Sequence, residues 1–278
     1  MRKLLKITTT FVVALIFTAG MAFGQNNTAD VDQSGDNLKG IVTQSGQANT
    51  ATLKQNGGAD NVANIDQKGT GNESTVLQPH QQGQFGGDAP YGVTALVKQD
   101  GQSNVSYIQQ ANTSNDLADQ NQGGSGHEAR ISQAANWNAF TKAEQDQFGS
   151  GQYARIRQAF SPGAEVVQLQ LGSDNSADSY QVNSDGASVD IFQDGSDLQI
   201  DTEQRDADGS SIESSQEGSL HGAEILQGKG FVSNGEDLTA ILDQSGTGHH
   251  ATIKQSNVGH TANVMQSGQG NQATVTQQ

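Results

Sequence analysis

A glutamine returns every eleven residues at both ends of this chain, at Gln33, Gln44 and Gln55 and again at Gln244, Gln255, Gln266 and Gln277. An interval that short and regular leaves few folds open, because each unit is too small to bury its own apolar face and must stack on its neighbours. Between two marks the chain reads Gln-x-Gly-x-x-Asn-x-Ala-x-apolar-x-Gln, as in Gln44, Gly46, Asn49, Ala51, Leu53 and Gln55. Asn49, Ala51, Leu53 and Gln55 alternate with Thr50, Thr52 and Lys54, and a period of two defines a strand with two unlike faces. Glycine after each glutamine supplies the turn, so each step is expected to hold about seven residues of strand and four of turn.

The site two residues before each glutamine is apolar and mostly β-branched, from Val31, Val42 and Leu53 through Ile131 and Ile156 to Ile253, Val264 and Val275. That column favours strand over helix. The site two residues earlier is small, as in Ala29, Ala51, Ala129, Ala177 and Ala273, which allows two facing sheets to approach closely. Between Gln147 and Gln216 the spacing alternates between 11 and 12, so the true unit is a pair of strands and 23 residues. The expected fold is therefore all-β: a β-solenoid of strand-arch-strand rungs with two facing parallel sheets in a cross-β stack. About 21 strands make roughly ten rungs and about 50 Å of axis at ~4.8 Å per rung. Loop insertions are expected near 79–98, 134–146 and 228–240, the first holding Pro79 and Pro90, the second the only tryptophan, Trp137. The columns resume after each, so residues 25–278 read as one solenoid.

Residues 1–24 carry Arg2, Lys3 and Lys6, the apolar run Phe11 to Phe17 and the small-residue ending Ala22-Phe23-Gly24. That arrangement reads as a cleaved secretory signal, and no later stretch has the roughly 18 apolar residues a membrane span needs. Without the three basic residues of the signal, 11 Lys and Arg face 30 Asp and Glu, a net charge of −19. Such a balance argues against nucleic acid and anionic lipid as partners. There is no cysteine, so disulfides and thiolate metal sites are excluded. With 32% hydrophobic residues and 34 glycines the composition alone suits disorder. The repeat overturns that reading, because stacking extends a thin core along one dimension.

Buried amides need partners, and an in-register stack provides them if each inner amide donates to the one above and accepts from the one below. The ladder members expected on this ground are Gln44, Asn49, Gln55, Gln67, Asn72, Gln244, His249, Gln255, His260 and Gln266. His127, His221, His249 and His260 each follow a glutamine by five residues and are read as replacing asparagine in its column, not as a metal site. Between Ala159 and Ser245 there are 17 acidic residues against Arg205 and Lys229, read as a solvated face whose stacked carboxylates also slow self-association. No nucleophile elbow, phosphate loop, metal spacing or flat threonine array is present, so no enzyme, cofactor or metal is expected.

The motif at Gln44 to Gln55 and Gln266 to Gln277, and with histidine for asparagine at Gln244 to Gln255, resembles the curlin repeat of curli fibre subunits. The likeness covers nearly all of residues 25–278. It implies a secreted subunit of a bacterial cell-surface amyloid, exported through an outer-membrane channel, nucleated by a partner subunit and supporting adhesion and biofilm matrix. Solenoids that stay monomeric blunt their ends with atypical repeats. Here Asn27, Ala29, Val31 and Gln33 at one end and Asn271, Ala273, Val275 and Gln277 at the other are among the cleanest copies, and they are expected to join subunits head to tail into a homopolymer. A monomeric solenoid adhesin or glycan-binding module is the competing reading.

Overall fold

A computed structural model describes residues 26–79, 92–135, 140–228 and 237–278. The assignments of 1–24 as a signal and of Trp137 to a loop lie outside the described residues. Among the described residues every regular element is a strand. One sheet contains β1 (Thr28–Asp36), β3 (Thr50–Ala59), β5 (Glu73–Pro79), β7 (Val105–Ala111), β9 (Glu128–Ala134), β11 (Tyr153–Ala159), β13 (Ser176–Val182), β15 (Gln199–Arg205), β17 (Gly222–Gln227), β19 (His250–Gln255) and β21 (Gln272–Gln277). The other contains β2 (Lys39–Gln47), β4 (Val62–Thr70), β6 (Thr94–Gln102), β8 (Leu117–Ser125), β10 (Lys142–Ser150), β12 (Glu165–Ser173), β14 (Ser188–Ser196), β16 (Ser211–Ser219), β18 (Thr239–Thr247) and β20 (Thr261–Gln269). Successive strands alternate between the odd and even sheets, and every pairing is parallel and joins strands two apart in sequence. Two arches and two strands thus make one coil, and Ala154 lies beside Ala177 and Gln170 beside Gln193, each 23 residues on.

Side chains that point inward from the two sheets form the core. Ala51, Leu53 and Gln55 of β3 face Ala63, Ile65 and Gln67 of β4, all fully buried. The same three columns repeat coil after coil, so Ile108, Ile131 and Ile156 stack directly on one another. In-register stacking sets like on like and leaves each apolar residue covered above and below, which is how so few apolar residues close a core.

The strands differ from the expected seven-plus-four division. Even strands hold 9 residues and run through the glycine, whereas β5, β7, β9, β11, β13 and β15 hold 7. Strand also resumes at Thr94, Lys142 and Thr239, so 94–98, 142–146 and 239–240 are strand and the insertions are narrower than sequence placed them. Glycine is required in the even strands from β2 to β18 for a second reason besides the turn. Gly149 has φ +125°, and a Cβ on it would lie closer than 3.0 Å to the carbonyl oxygen of Gly172 in the next coil. Gly248 has φ +70° with nothing within 4 Å. Gly248→Ala should therefore cost about 1 kcal/mol, the strain of the left-handed backbone alone. Gly149→Ala should cost at least twice as much, because the adjacent coil must also move. Urea unfolding of freshly prepared protein measures both.

Candidate functional site

Two unbroken chains of glutamine amides run the length of the core. In the odd sheet Gln33 Nε2 donates to Gln55 Oε1, and Gln55, Gln78, Gln110, Gln133, Gln158, Gln181, Gln204, Gln227, Gln255 and Gln277 continue in order at 2.7–3.0 Å. In the even sheet Gln44, Gln67, Gln99, Gln122, Gln147, Gln170, Gln193, Gln216, Gln244 and Gln266 do the same at 2.7–3.0 Å. Every bond runs from Nε2 toward the C-terminal neighbour's Oε1. In most of these amides the second N–H reaches across the interior to a carbonyl at the start of a strand of the other sheet, as Gln158 Nε2 does to Lys142 O at 3.1 Å. One side-chain type thereby fixes the stacking register and ties the sheets together.

Asparagine and histidine act differently from the expected amide ladder. Asn49 Nδ2 donates to Ser45 O of its own arch at 3.0 Å, and its Oδ1 accepts the backbone N–H of Asn72, one coil on, at 3.0 Å. Asn72 bonds Lys68 O and the N–H of Asn104 in the same manner, and Asn27 accepts from the N–H of Asn49. These residues clamp the even-to-odd arch to backbone instead of bonding one another. His127, His221 and His249 share this arch, whereas His260 occupies the opposite, odd-to-even arch, so the four histidines do not form one column. The rings of His221 and His249 stack at 4.9 Å. His249 accepts the Asn271 N–H on Nδ1 at 3.1 Å and directs Nε2 to Ser245 O at 3.0 Å. A backbone N–H can only donate, so Nδ1 is the acceptor in this contact.

A second, shorter ladder was missed in the sequence. Gln120, Gln145 and Gln168 occupy the apolar column of β8, β10 and β12 and bond in series at 2.9 and 3.0 Å, ending on Ser179 Oγ at 2.8 Å. Its signal is visible as three consecutive Gln-x-Gln steps in those strands. Where an amide enters an apolar column, the next coil or the facing sheet must supply another amide or a hydroxyl, as Ser179 of β13 does for Gln168.

The outer faces carry charge. On the even sheet Asp119 lies beside Glu144 and Asp190 beside Glu213 in register. Burial, then the Glu144 and Asp146 carboxylates, push the Asp119 carboxyl up to about 6. On the odd sheet Arg155 pairs with Asp178, and Tyr180 lies between the Arg157 and Arg205 guanidinium groups at 4.6 and 5.7 Å. Among the described residues no group of three or more His, Cys, Asp or Glu is placed to hold a metal ion, and no helix is long and apolar enough to cross a membrane.

At the ends the buried columns come to the surface. Val31 and Gln33 of β1, Val42 and Gln44 of β2, and Ala273, Val275 and Gln277 of β21 are half-buried where their interior counterparts are fully covered, and Ala29 and Asn271 are exposed. The fold and this site define a class: a parallel β-solenoid held by axial amide ladders whose terminal strands present unpaired edges. The family model for the curlin associated repeat matches residues 24–57, which supports the likeness of the repeat to that family. Compared with the curated proteins, the chain finds no match.

Replacing Gln158 with leucine keeps the burial but leaves the Gln181 carbonyl oxygen and two backbone carbonyls without their donor. The expected loss is about 2–4 kcal/mol in urea unfolding, against less than about 1 kcal/mol for Gln33→Leu at the half-buried end.

Burial lowers the His127 pKa below its ordinary value, against the opposing effect of its carbonyl partners. A histidine depressed in the folded state contributes stability that is fully present above the unfolded value of about 6.5 and is lost as pH falls below it. His127→Asn, which restores the common residue of the column, should flatten the stability profile between about pH 6.5 and 5. Equilibrium unfolding at each pH reads that change.

Proposed function

We propose that this chain is a secreted structural subunit that polymerises end to end into curli-like extracellular fibres serving adhesion and biofilm matrix. One observation carries the reading: both glutamine ladders and the apolar columns run to the terminal strands without a capping element among the described residues. An uncapped parallel edge offers unpaired N–H and C=O groups together with half-covered apolar side chains. A second copy satisfies both, and because the two ends differ the contact repeats without closing.

Asn27, Ala29, Val31 and Gln33, and Asn271, Ala273, Val275 and Gln277, are the joining residues in this reading. The family resemblance adds a homopolymer started by a nucleating subunit and delivered through an outer-membrane channel. Stacked carboxylates such as Asp119 and Glu144 continue the same reading, since like charges in register oppose stacking at neutral pH and acid relieves them.

The test is incubation of purified residues 25–278 with thioflavin readout, electron microscopy and fibre diffraction. Fibres with ~4.8 Å axial spacing are expected. Proline at both Ala273 and Val275 removes two backbone donors from β21 and should slow elongation roughly tenfold while leaving a soluble folded chain. A wild-type chain that stays monomeric and binds glycan instead would establish the adhesin reading.

A further inference from the structure

Residues 26–278 present two sheet edges at each end, β1 and β2 at one and β20 and β21 at the other. Successive strands alternate sheets, so β21 lies half a coil beyond β20. The geometry points to a junction in which each subunit is turned by half a revolution about the fibre axis, so that β1 of the incoming copy pairs with β20 and its β2 pairs with β21. This rests on the polymer reading above and specifies its interface.

The first ground is edge satisfaction. If the incoming copy kept the orientation of the first, β1 would lie on β21 in the odd sheet. The even sheet would then lack the strand between β20 and the incoming β2, a gap of about 10 Å, twice the strand spacing, with backbone groups unpaired on both sides. The half-turn places β1 into that vacancy, and all four edges are paired. Strands joined by an arch run in opposite directions, and a half-turn about the axis exchanges the sheets and reverses every strand, so both new pairings stay parallel.

The second ground is the glycine column. All ten even strands carry Gln-x-Gly, and each of these glycines from Gly46 to Gly246 leaves no room for a Cβ below the carbonyl of the next. Gly268 of β20 ends the column with nothing within 4 Å. β1 carries the same step, Gln33-Ser34-Gly35, with φ +152° at Gly35, close to the +148° of Gly195 in β14. Over β20, Gly35 meets Gly268 and Gln33 meets Gln266 in register.

The third ground is the arches. Asn271 donates to Ser267 O at 2.7 Å, and in the half-turn Leu38 lies above it, placed to donate its N–H to Asn271 Oδ1. The interior contains that pair already, since the Leu198 N–H donates to Asn175 Oδ1 at 3.1 Å. The two ladders also continue, Gln266 Nε2 to Gln33 Oε1 and Gln277 Nε2 to Gln44 Oε1.

The chain has no cysteine, which makes disulfide mapping unambiguous. In the half-turn junction Asp32 lies beside Met265, both exposed and outward; in the unrotated one Asp32 lies beside Thr276. Adjacent in-register positions at about 4.8 Å fall within disulfide range, and positions on opposite faces do not. Fibres of the D32C/M265C double variant of residues 25–278, oxidised and then dissolved in denaturant, should give a ladder of covalent multimers. D32C/T276C fibres treated alike should give roughly tenfold less. The reverse pattern, equal cross-linking by both, or fibres that cross-link with neither, overturns the half-turn and leaves the polymer reading standing. Failure of the unsubstituted chain to form fibres overturns both.

Discussion

Everything in this molecule depends on the need of a buried primary amide for both a donor and an acceptor. A lone glutamine in an apolar interior is costly, whereas a column of them at the strand spacing satisfies itself. Once one strand carries an inward glutamine, a neighbouring strand must carry a partner for it, most simply another glutamine in the same place one coil on. That requirement sets the register, the parallel direction and the length of the repeat together. Apolar columns alone would allow slips by two residues; the amides do not.

The same requirement explains which parts of the fold were legible in the sequence. The glutamine interval, the β-branched column beside it and the alternation of 11 and 12 together implied two parallel sheets with a 23-residue coil. Each of those signals is a spacing, and spacing survives in one dimension. What the asparagines do was not legible, because Asn49 bonds backbone atoms of Ser45 and Asn72, and a backbone group leaves no trace in sequence. His260 illustrates the same limit. Its distance from Gln255 equals that of His249 from Gln244, yet alternate arches face opposite sides of the solenoid. The ladder through Gln120, Gln145 and Gln168 was legible in principle but lay in a column read as purely apolar.

Charge and packing divide the labour between inside and outside. The interior is built almost wholly of amide, hydroxyl and apolar side chains and is nearly identical from coil to coil, so it can extend without limit. Outer positions vary, and there the in-register stack is a burden, since Asp119 and Glu144 or Asp190 and Glu213 are forced side by side. Raised carboxyl pKa values on that face and the lowered one of His127 have opposite signs. Acid therefore relieves the outer face while loosening the arches.

The uniform direction of the ladder bonds has an electrical consequence. Each amide carries a dipole, and here they line up head to tail in two parallel rows, so their effects add where those of alternating groups would cancel. The solenoid is thus a permanently polarised rod, each ladder ending on a bare glutamine carbonyl oxygen at one tip and on a glutamine amide N–H at the other. Two such rods attract tip to tail and repel tip to tip, a built-in compass for any molecule that approaches along the axis.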